Sequence, residues 1–492
     1  MKSLFLRSWV LILLISGSFL FLSGCSRNPV TGKKELTLMS ESQEKSLGLE
    51  YDPQIQAEYG MYPDSSWQRY LREKGEAMAK ISHRPKLPFQ FRVIDSDVVN
   101  AFAVPGGYIY FTRGILAHFN SEAQLMGVLG HEIGHVTARH ANEQYTKQTL
   151  AQIGLIAGMA LSPKFRQFSD LASTGVQLMF LKFSRDNESQ SDQLGVDYAT
   201  KVGYDAAPMA EFFKTLGRIS DAHGARIPSF LSTHPDPGDR YNKVKAMAAA
   251  KQKELPQATR IDRDGYLKRL EGMIYGKDPR QGFKEAEVFY HPELKFQFPT
   301  PAESWAYENT PSKVQFSTKD QKAILVLSLA QEKDLQSASS AFLSSHKLSS
   351  VTQERTTVNG FQALYCLSDL IPEQSASPED KANNTMRVSS MFIQYNGMIY
   401  NLTGVAALPD FSGYEAVFQK SMRGFKSLTD PAKLGAKPEK ISIQKISKSM
   451  NLRDALTAFK QDTKRFDELA VLNGMELNEV LPAGTMIKTV SK

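Results

Sequence analysis

His131-Glu132-Ile133-Gly134-His135 sets two histidines one helical turn apart, with a glutamate beside the first. Residues four apart share a face of an α-helix. On a helix, His131 and His135 would present imidazole nitrogens to one metal ion, and Glu132 would point at a water bound beside it. This is the arrangement of a zinc hydrolase. The helix carrying them has its own start signal, since Ser121 followed by Gln124 is a capping box. Leu125, Val128 and Leu129 then supply an apolar stripe. The plain alternative is a partly buried helix that happens to hold two histidines.

A zinc peptidase needs a third protein ligand and a fourth position open to water. Glu188 is the next candidate, in the run from Ser184 to Asp192, followed by Leu194, Val196 and Ala199 as on a half-buried helix. Glu188 and Asp192 are again four apart. One carboxylate completes the coordination, while the other fixes the tautomer of a ligand histidine. A solvated acidic face is the usual meaning of such a pair, but the order, metal helix first and acidic helix later, favours the zinc centre. His140 is out of register for an alternative third ligand. The extended motif takes Gly and His where this chain has Ala138 and Ala141. It reads instead as a helix-end histidine, favourable at the negative end of the dipole. Cysteine ligation is excluded by count, because only Cys25 and Cys366 occur. His83, His118, His223, His291 and His346 stand alone and read as surface or packing residues.

Two more segments make sense beside such a centre. Asn100 to Thr112 reads as strand, tight turn, strand. An edge at Ala101, Phe102, Ala103 and Val104 would hold an extended substrate by its main chain, or the hairpin is simply core. Ser232 to Arg240 is a loop rich in Pro and Gly, leading into a helix from Tyr241. His234 either stabilises the oxyanion or occupies the open metal position and shuts the site. Arg240 either neutralises the tetrahedral intermediate or pairs with a buried carboxylate.

Taken in order, the hairpin, the metal helix, the Glu188/Asp192 helix and the His234-Pro235…Arg240 loop resemble the gluzincin metallopeptidases that include the CAAX prenyl proteases and bacterial beta-barrel-assembly-enhancing protease. The resemblance runs from about Asn28-Pro29-Val30-Thr31-Gly32 to Gly282. It implies one Zn2+ per chain on His131, His135 and Glu188, with Glu132 as catalytic base and Asp192 orienting a ligand. It also implies that His234 and Arg240 lie near the site. Membrane-embedded relatives carry several long spanning helices, and this sequence has none after its leader.

The leader itself is legible. Lys2 and Arg7 precede an apolar run from Trp9 to Ile15 that resumes at Phe19 and meets Leu22-Ser23-Gly24-Cys25. A basic start, a short apolar stretch and small residues before a cut define a secretory signal. The alternative is an uncleaved signal anchor, but the run is short for a bilayer span and Gly17 interrupts it. Leu22 to Cys25 resembles the bacterial lipoprotein box, which implies a lipidated Cys25 as mature N-terminus, and Ser26 points to the periplasmic side of the outer membrane. Cys366 then has no intrachain partner. The formal net charge of +7 suits an anionic membrane surface or cell wall. No basic stripe interleaved with aromatics occurs, so nucleic acid is not an expected partner.

The sequence thus predicts a multidomain chain. Residues 1–24 form the signal peptide. Residues 25–282 form a mainly α-helical zincin domain with a small β-hairpin, in which Ala151–Leu161 reads as a buried helix and Gly265–Tyr275 as a closing helical piece. From 283 to 430, strands at Leu294–Phe298, Lys313–Phe316, Ala323–Leu329, Gly360–Leu367, Val388–Tyr395 and Met398–Thr403 alternate with helices at Glu332–His346 and Tyr414–Phe425. Asn396-Gly397 is a hairpin turn, and Glu373–Asn384 a loop. This is an α+β domain with an antiparallel sheet, whose element order resembles Mog1/PsbP-type domains. A Pro, Gly and Lys linker at 431–440 precedes residues 441–492, whose strand-helix-helix-strand order resembles a LysM module, implying peptidoglycan binding or a docking role. The expected function is a membrane-anchored periplasmic zinc endopeptidase acting on unfolded or misassembled envelope proteins. Its rivals are a non-proteolytic assembly chaperone or cell-wall scaffold with a latched zinc, and a zinc amidase of peptidoglycan.

Overall fold

The computed structural model describes residues 25–149, 183–223, 230, 234, 237–370 and 385–492. The leader, the run Ala151–Leu161, the loop Glu373–Asn384, and Ser232, Thr233, Pro235 and Asp236 lie outside the described residues. The chain forms two compact units, one built mainly from Met61–Gly276 with Lys440–Ser491, the other mainly from Lys277–Glu439.

In the first unit a hairpin, β1 (Cys25–Arg27) and β2 (Lys34–Leu36), precedes helices α1 (Glu41–Tyr59) and α2 (Ser65–Ala79). A three-stranded sheet follows, of β3 (Gln90–Ile94), β4 (Ala101–Val104) and β5 (Tyr108–Thr112). Its order is β3-β5-β4, with β3 parallel and β4 antiparallel to β5, so β4 is an edge. The turn between β4 and β5 needs its glycines, because Gly106 and Gly107 have φ of +86° and +93°. Helices α3 (Arg113–His118), α4 (Glu122–Thr137), α5 (Arg185–Lys201), α6 (Ala207–His223), α7 (Pro237–Glu254) and α8 (Arg263–Leu270) complete the helical body of this unit. The piece read as helix from Gly265 to Tyr275 stops at Leu270. Its end becomes strand β6 (Ile274–Tyr275), because it finds a partner strand in the C-terminal segment.

That segment shares one hydrophobic core with the helices. Ile441, Leu452, Leu469 and Ile487 belong to the same buried cluster as Leu71, Phe111, Leu129 and Tyr198. Strand β18 (Glu439–Lys445) lies between β21 (Met486–Ser491) and β6, with Ile441 N donating to Met273 O at 2.8 Å. Lys488 is fully buried, and its Nζ donates to Ala117 O at 2.8 Å and Phe119 O at 3.1 Å, next to the start of α4. Burial holds this ammonium well below its usual range. The unfolded chain therefore binds the proton more tightly, and stability rises with pH between the depressed folded pKa and the ordinary lysine value of about 10.4. Thermal melts from pH 7 to 9 should show a steeper rise for the wild type than for Lys488→Met. Parallel slopes would mean that Lys488 is not buried as a titrating group.

The second unit holds a seven-stranded antiparallel sheet of order β10 (Ala306–Asn309), β11 (Lys313–Ser317), β12 (Ala323–Leu329), β16 (Met398–Ala407), β15 (Met386–Tyr395), β14 (Phe361–Leu370), β13 (Ser349–Val358), and a four-stranded one of order β17 (Lys426–Ser427), β9 (Phe296–Pro299), β8 (Val288–His291), β7 (Phe283–Glu285). Helices Leu335–Ser345 and Phe411–Arg423 accompany them. The strands read from sequence at Lys313, Ala323, Val388 and Met398 are present, and Asn396 and Gly397 turn the last pair with φ of +50° and +76°. The sequence reading missed β13 (Ser349–Val358) because nearly every residue of this edge strand is exposed and polar, leaving no apolar alternation to detect. Among the described residues no helix is long and apolar enough to cross a membrane.

Candidate metal centre

Helix α4 starts where the sequence indicates. Ser121 Oγ accepts from Gln124 N at 3.2 Å, while the Gln124 side chain reaches Asn120 N at 2.7 Å. Every residue of α4 is buried. Helix α5 begins at a full capping box in which Ser184 and Asn187 bond reciprocally. The two helices cross at glycines. A Cβ added to Gly130 would lie 3.0 Å from the Gly195 Cα, and one on Gly195 would lie 2.9 Å from Gly127 O. Only this close approach lets Glu188 and Asp192 on α5 reach His131 and His135 on α4.

The side chains converge as the spacing implies. His131 Nε2 and His135 Nε2 face each other at 2.9 Å. Glu188 Oε1 lies 3.4 Å from His135 Nε2, and Glu188 Oε2 lies 3.6 Å from His131 Nε2. His234 closes the group, with Nδ1 2.9 Å from Glu188 Oε1 and 3.3 Å from His131 Nε2. The donor atoms of these four buried residues lie within 4.8 Å of one another. Phe183 stacks on the His135 ring at 4.1 Å and Phe230 on the His234 ring at 4.4 Å, which fixes both imidazoles.

Proton bookkeeping tests whether a cation fits. Asp192 Oδ1 accepts from His131 Nδ1 at 2.9 Å, so His131 Nε2 is left bare. Arg240 donates to both Asp192 oxygens, at 2.6 and 2.8 Å, and pairs with Glu188 Oε2 at 2.9 Å. On the other side, Gln190 Oε1 accepts from His140 Nε2 at 2.8 Å, so His140 Nδ1 accepts the Nδ1–H of His135 at 3.0 Å. Burial lowers the His140 pKa to about 4, keeping this ring neutral. His135 Nε2 is then bare as well. Two lone pairs facing at 2.9 Å beside a carboxylate repel unless a cation lies between them. The set of three imidazoles and a carboxylate is that of zinc.

Glu132 is completely buried, and neither of its oxygens has a hydrogen-bond partner. Burial pushes its carboxyl up from the usual range. The nearest imidazole nitrogen is His234 Nε2, 3.7 Å from Glu132 Oε1. The edge strand β4 borders the centre, because Ala103 and Val104 line a small cavity with His135 and Phe183. Ala101 and Phe102 are buried, and Phe102 stacks on Tyr110 at 5.0 Å.

His140 is the residue that the sequence reading set aside and the structure brings in. Arg139, at φ +59°, breaks the helix direction and turns His140 back onto His135. Removing a partner of a ligand histidine costs metal affinity ten- to a hundredfold. Zinc competition against a chelator should show that loss for His140→Leu, while Gln190→Glu, which keeps an acceptor, should retain affinity. Equal affinity for His140→Leu and wild type would show that the pair does not set the tautomer.

Fold and centre together give the arrangement of gluzincin-type metallohydrolases, with two histidines and a glutamate on one helix and a carboxylate on the next. Residues 65–248 match the sequence model of Peptidase family M48. Among characterised relatives, the mitochondrial metalloendopeptidase OMA1 of Arabidopsis thaliana is 30% identical over 245 residues, covering 48% of this chain and 47% of its own. The beta-barrel assembly-enhancing protease of Yersinia pestis is 28% identical over 258 residues, covering 51% and 52%. The chain thus spans about half the length of the curated relatives it matches. Similar solved structures include cyanobacterial PsbP from Synechocystis, with TM-score 0.24 and 10% identity over 29% of this chain and 94% of that one. Yeast Mog1p has TM-score 0.23 and 9% identity over 31% and 100%.

Proposed function

We propose that the chain is a zinc-dependent endopeptidase of the bacterial envelope, anchored through Cys25 on the periplasmic side of the outer membrane, that hydrolyses unfolded or misassembled envelope proteins. The observation that carries the peptidase reading is the pair of bare imidazole nitrogens facing each other beside Glu188, with an unpartnered Glu132 next to them. The envelope role draws on the leader and on similarity to beta-barrel assembly-enhancing proteases.

His131, His135 and Glu188 would hold the metal, which when bound acidifies water and polarises the scissile carbonyl. Glu132 acts as the base. Its free oxygens take the proton of the attacking water and return it to the leaving amine nitrogen. Asp192 and His140 keep the ligand imidazoles in the tautomer that turns Nε2 inward. Arg240 is engaged by Asp192 and Glu188, which supports its reading as a buried ion-pair partner rather than a group held ready for the substrate. The edge of β4 at Ala101 to Val104 is placed to pair with an extended substrate main chain.

For His234 the geometry favours the latch. Its Nδ1 is among the four convergent donors, where it would fill the position a peptidase needs open. The enzyme is then latent until His234 withdraws. For the C-terminal segment, its shared core and the buried Lys488 support docking over glycan binding. Cleavage of casein by the zinc-loaded chain, abolished by a chelator and restored by zinc, tests the peptidase reading. Inactivity of both the wild type and His234→Ala would favour the scaffold alternative, and release of peptides from purified cell wall would favour the amidase.

A further inference from the structure

The hairpin that follows Cys25 is tied to the end of the metal helix. Asn28 Nδ2 donates to Ala138 O at 3.1 Å, the carbonyl at the C-terminal end of α4. Arg139 continues the clamp, donating to Ser26 Oγ at 2.8 Å and to Met39 O at 2.9 Å. Leu38 N donates to Thr146 Oγ1 at 3.0 Å. Asn28 is itself buried, at 5% exposure.

The register of the hairpin sorts its residues. Cys25 pairs with Leu36, Ser26 with Glu35 and Arg27 with Lys34. Paired positions and those two apart share a face, so positions 25, 27, 34 and 36 lie together, opposite Ser26 and Glu35. The second face is turned to the protein, since Ser26 accepts from Arg139 and Glu35 from Asn28. On the first face Arg27, Lys34 and Leu36 are exposed, and Leu38, one alternation further on, is also exposed. Two cations and two leucines thus surround the position of Cys25, with no acidic residue on that face.

We propose that this face docks on an anionic bilayer and holds the metal centre at a fixed, short height above it, so that the substrates are polypeptides at the membrane surface. The inference rests on the reading of Cys25 as the lipidated anchor. Cys25 and Asn28 are separated by at most about 10 Å of extended chain. Ala138 lies only about 4.5 Å along the helix axis from His135. An acyl group on Cys25 therefore enters the membrane close to the metal ligands, with no flexible tether between them. Basic residues beside a lipid chain add electrostatic attraction to anionic headgroups.

The test uses the full chain isolated from membranes and reconstituted in phosphatidylethanolamine/phosphatidylglycerol vesicles. An alkyne-tagged fatty acid reports acylation of Cys25. A water-soluble amine reagent reports exposure of Lys34. Peptides anchored in the same vesicles carry a cleavable segment on a short or a long flexible spacer. Acylated wild type is expected to show Lys34 protected several-fold relative to detergent, and to cleave the short-spacer peptide at least tenfold faster than the long. Detergent removes the preference. Arg27→Glu/Leu36→Glu, which keeps Lys34 as the reporter, is expected to lose protection of Lys34 and the spacer preference while cleaving a soluble peptide as the wild type does. An unacylated Cys25 overturns the anchoring reading and this inference with it. An acylated chain with Lys34 unprotected and no spacer preference overturns the docking face alone. Protection of Lys34 with no cleavage by the wild type or by His234→Ala upholds the docking face and counts against the peptidase reading.

Discussion

Glu132→Gln is expected to lower casein cleavage by about 10²- to 10⁴-fold, the usual contribution of a positioned general base, while leaving one zinc bound per chain. Each factor of ten corresponds to about 1.4 kcal/mol of transition-state stabilisation. Glutamine has nearly the same shape but cannot accept a proton, and Glu132 contacts none of the groups that orient the ligands. Its two oxygens lack hydrogen-bond partners, and burial already disfavours the charged form. A neutral amide relieves that cost, so the variant should melt no lower than the wild type. Lost activity would then be a statement about chemistry rather than folding. Activity within a factor of a few of wild type would remove Glu132 from the base role. Loss of zinc together with activity would make it a ligand.

The core of this centre is legible in the sequence because helical geometry is local. Four-residue spacing alone puts His131 with His135 and Glu188 with Asp192, and the structure joins the two pairs. What joins them is less visible. Gly130 and Gly134 on α4 and Gly195 on α5 permit the close crossing, and their spacing was available as a signal of helices packed backbone to backbone. His140 was out of reach for a different reason. A straight helix sends it away from His135, and only the left-handed Arg139 brings it back.

Longer-range features were less legible still. Strand readings in the second unit succeeded where apolar alternation marks a buried face, as at Ala323–Leu329, and failed for the exposed β13. The C-terminal segment reads as strands and helices from its own pattern, yet nothing in that pattern says that Ile441 and Ile487 enter the peptidase core. A lysine at 488 would ordinarily be assigned to the surface. Its two backbone acceptors, Ala117 O and Phe119 O, are distant in sequence and meet it only in the fold.

His234→Ala is expected to raise casein cleavage by the zinc-loaded chain at least about tenfold, with zinc retained. The expectation follows from coordination number. His131, His135 and Glu188 would form a three-ligand set of the kind that catalytic zinc sites use, and a fourth protein donor leaves water no place. In the wild type His234 Nδ1 is as close to Glu188 Oε1, 2.9 Å, as the two ligand histidines are to each other, and the Phe230 ring stacked on it holds that position. Alanine opens the fourth position without touching Asp192 or His140, and it removes the imidazole that lies 3.7 Å from Glu132 Oε1. Phe230→Ala should act in the same direction but more weakly, because it loosens the imidazole instead of removing it. Inactive His234→Ala with zinc still bound would return His234 to the oxyanion role. Loss of zinc would make it a required ligand, and a site that needs four protein donors to hold its metal is structural.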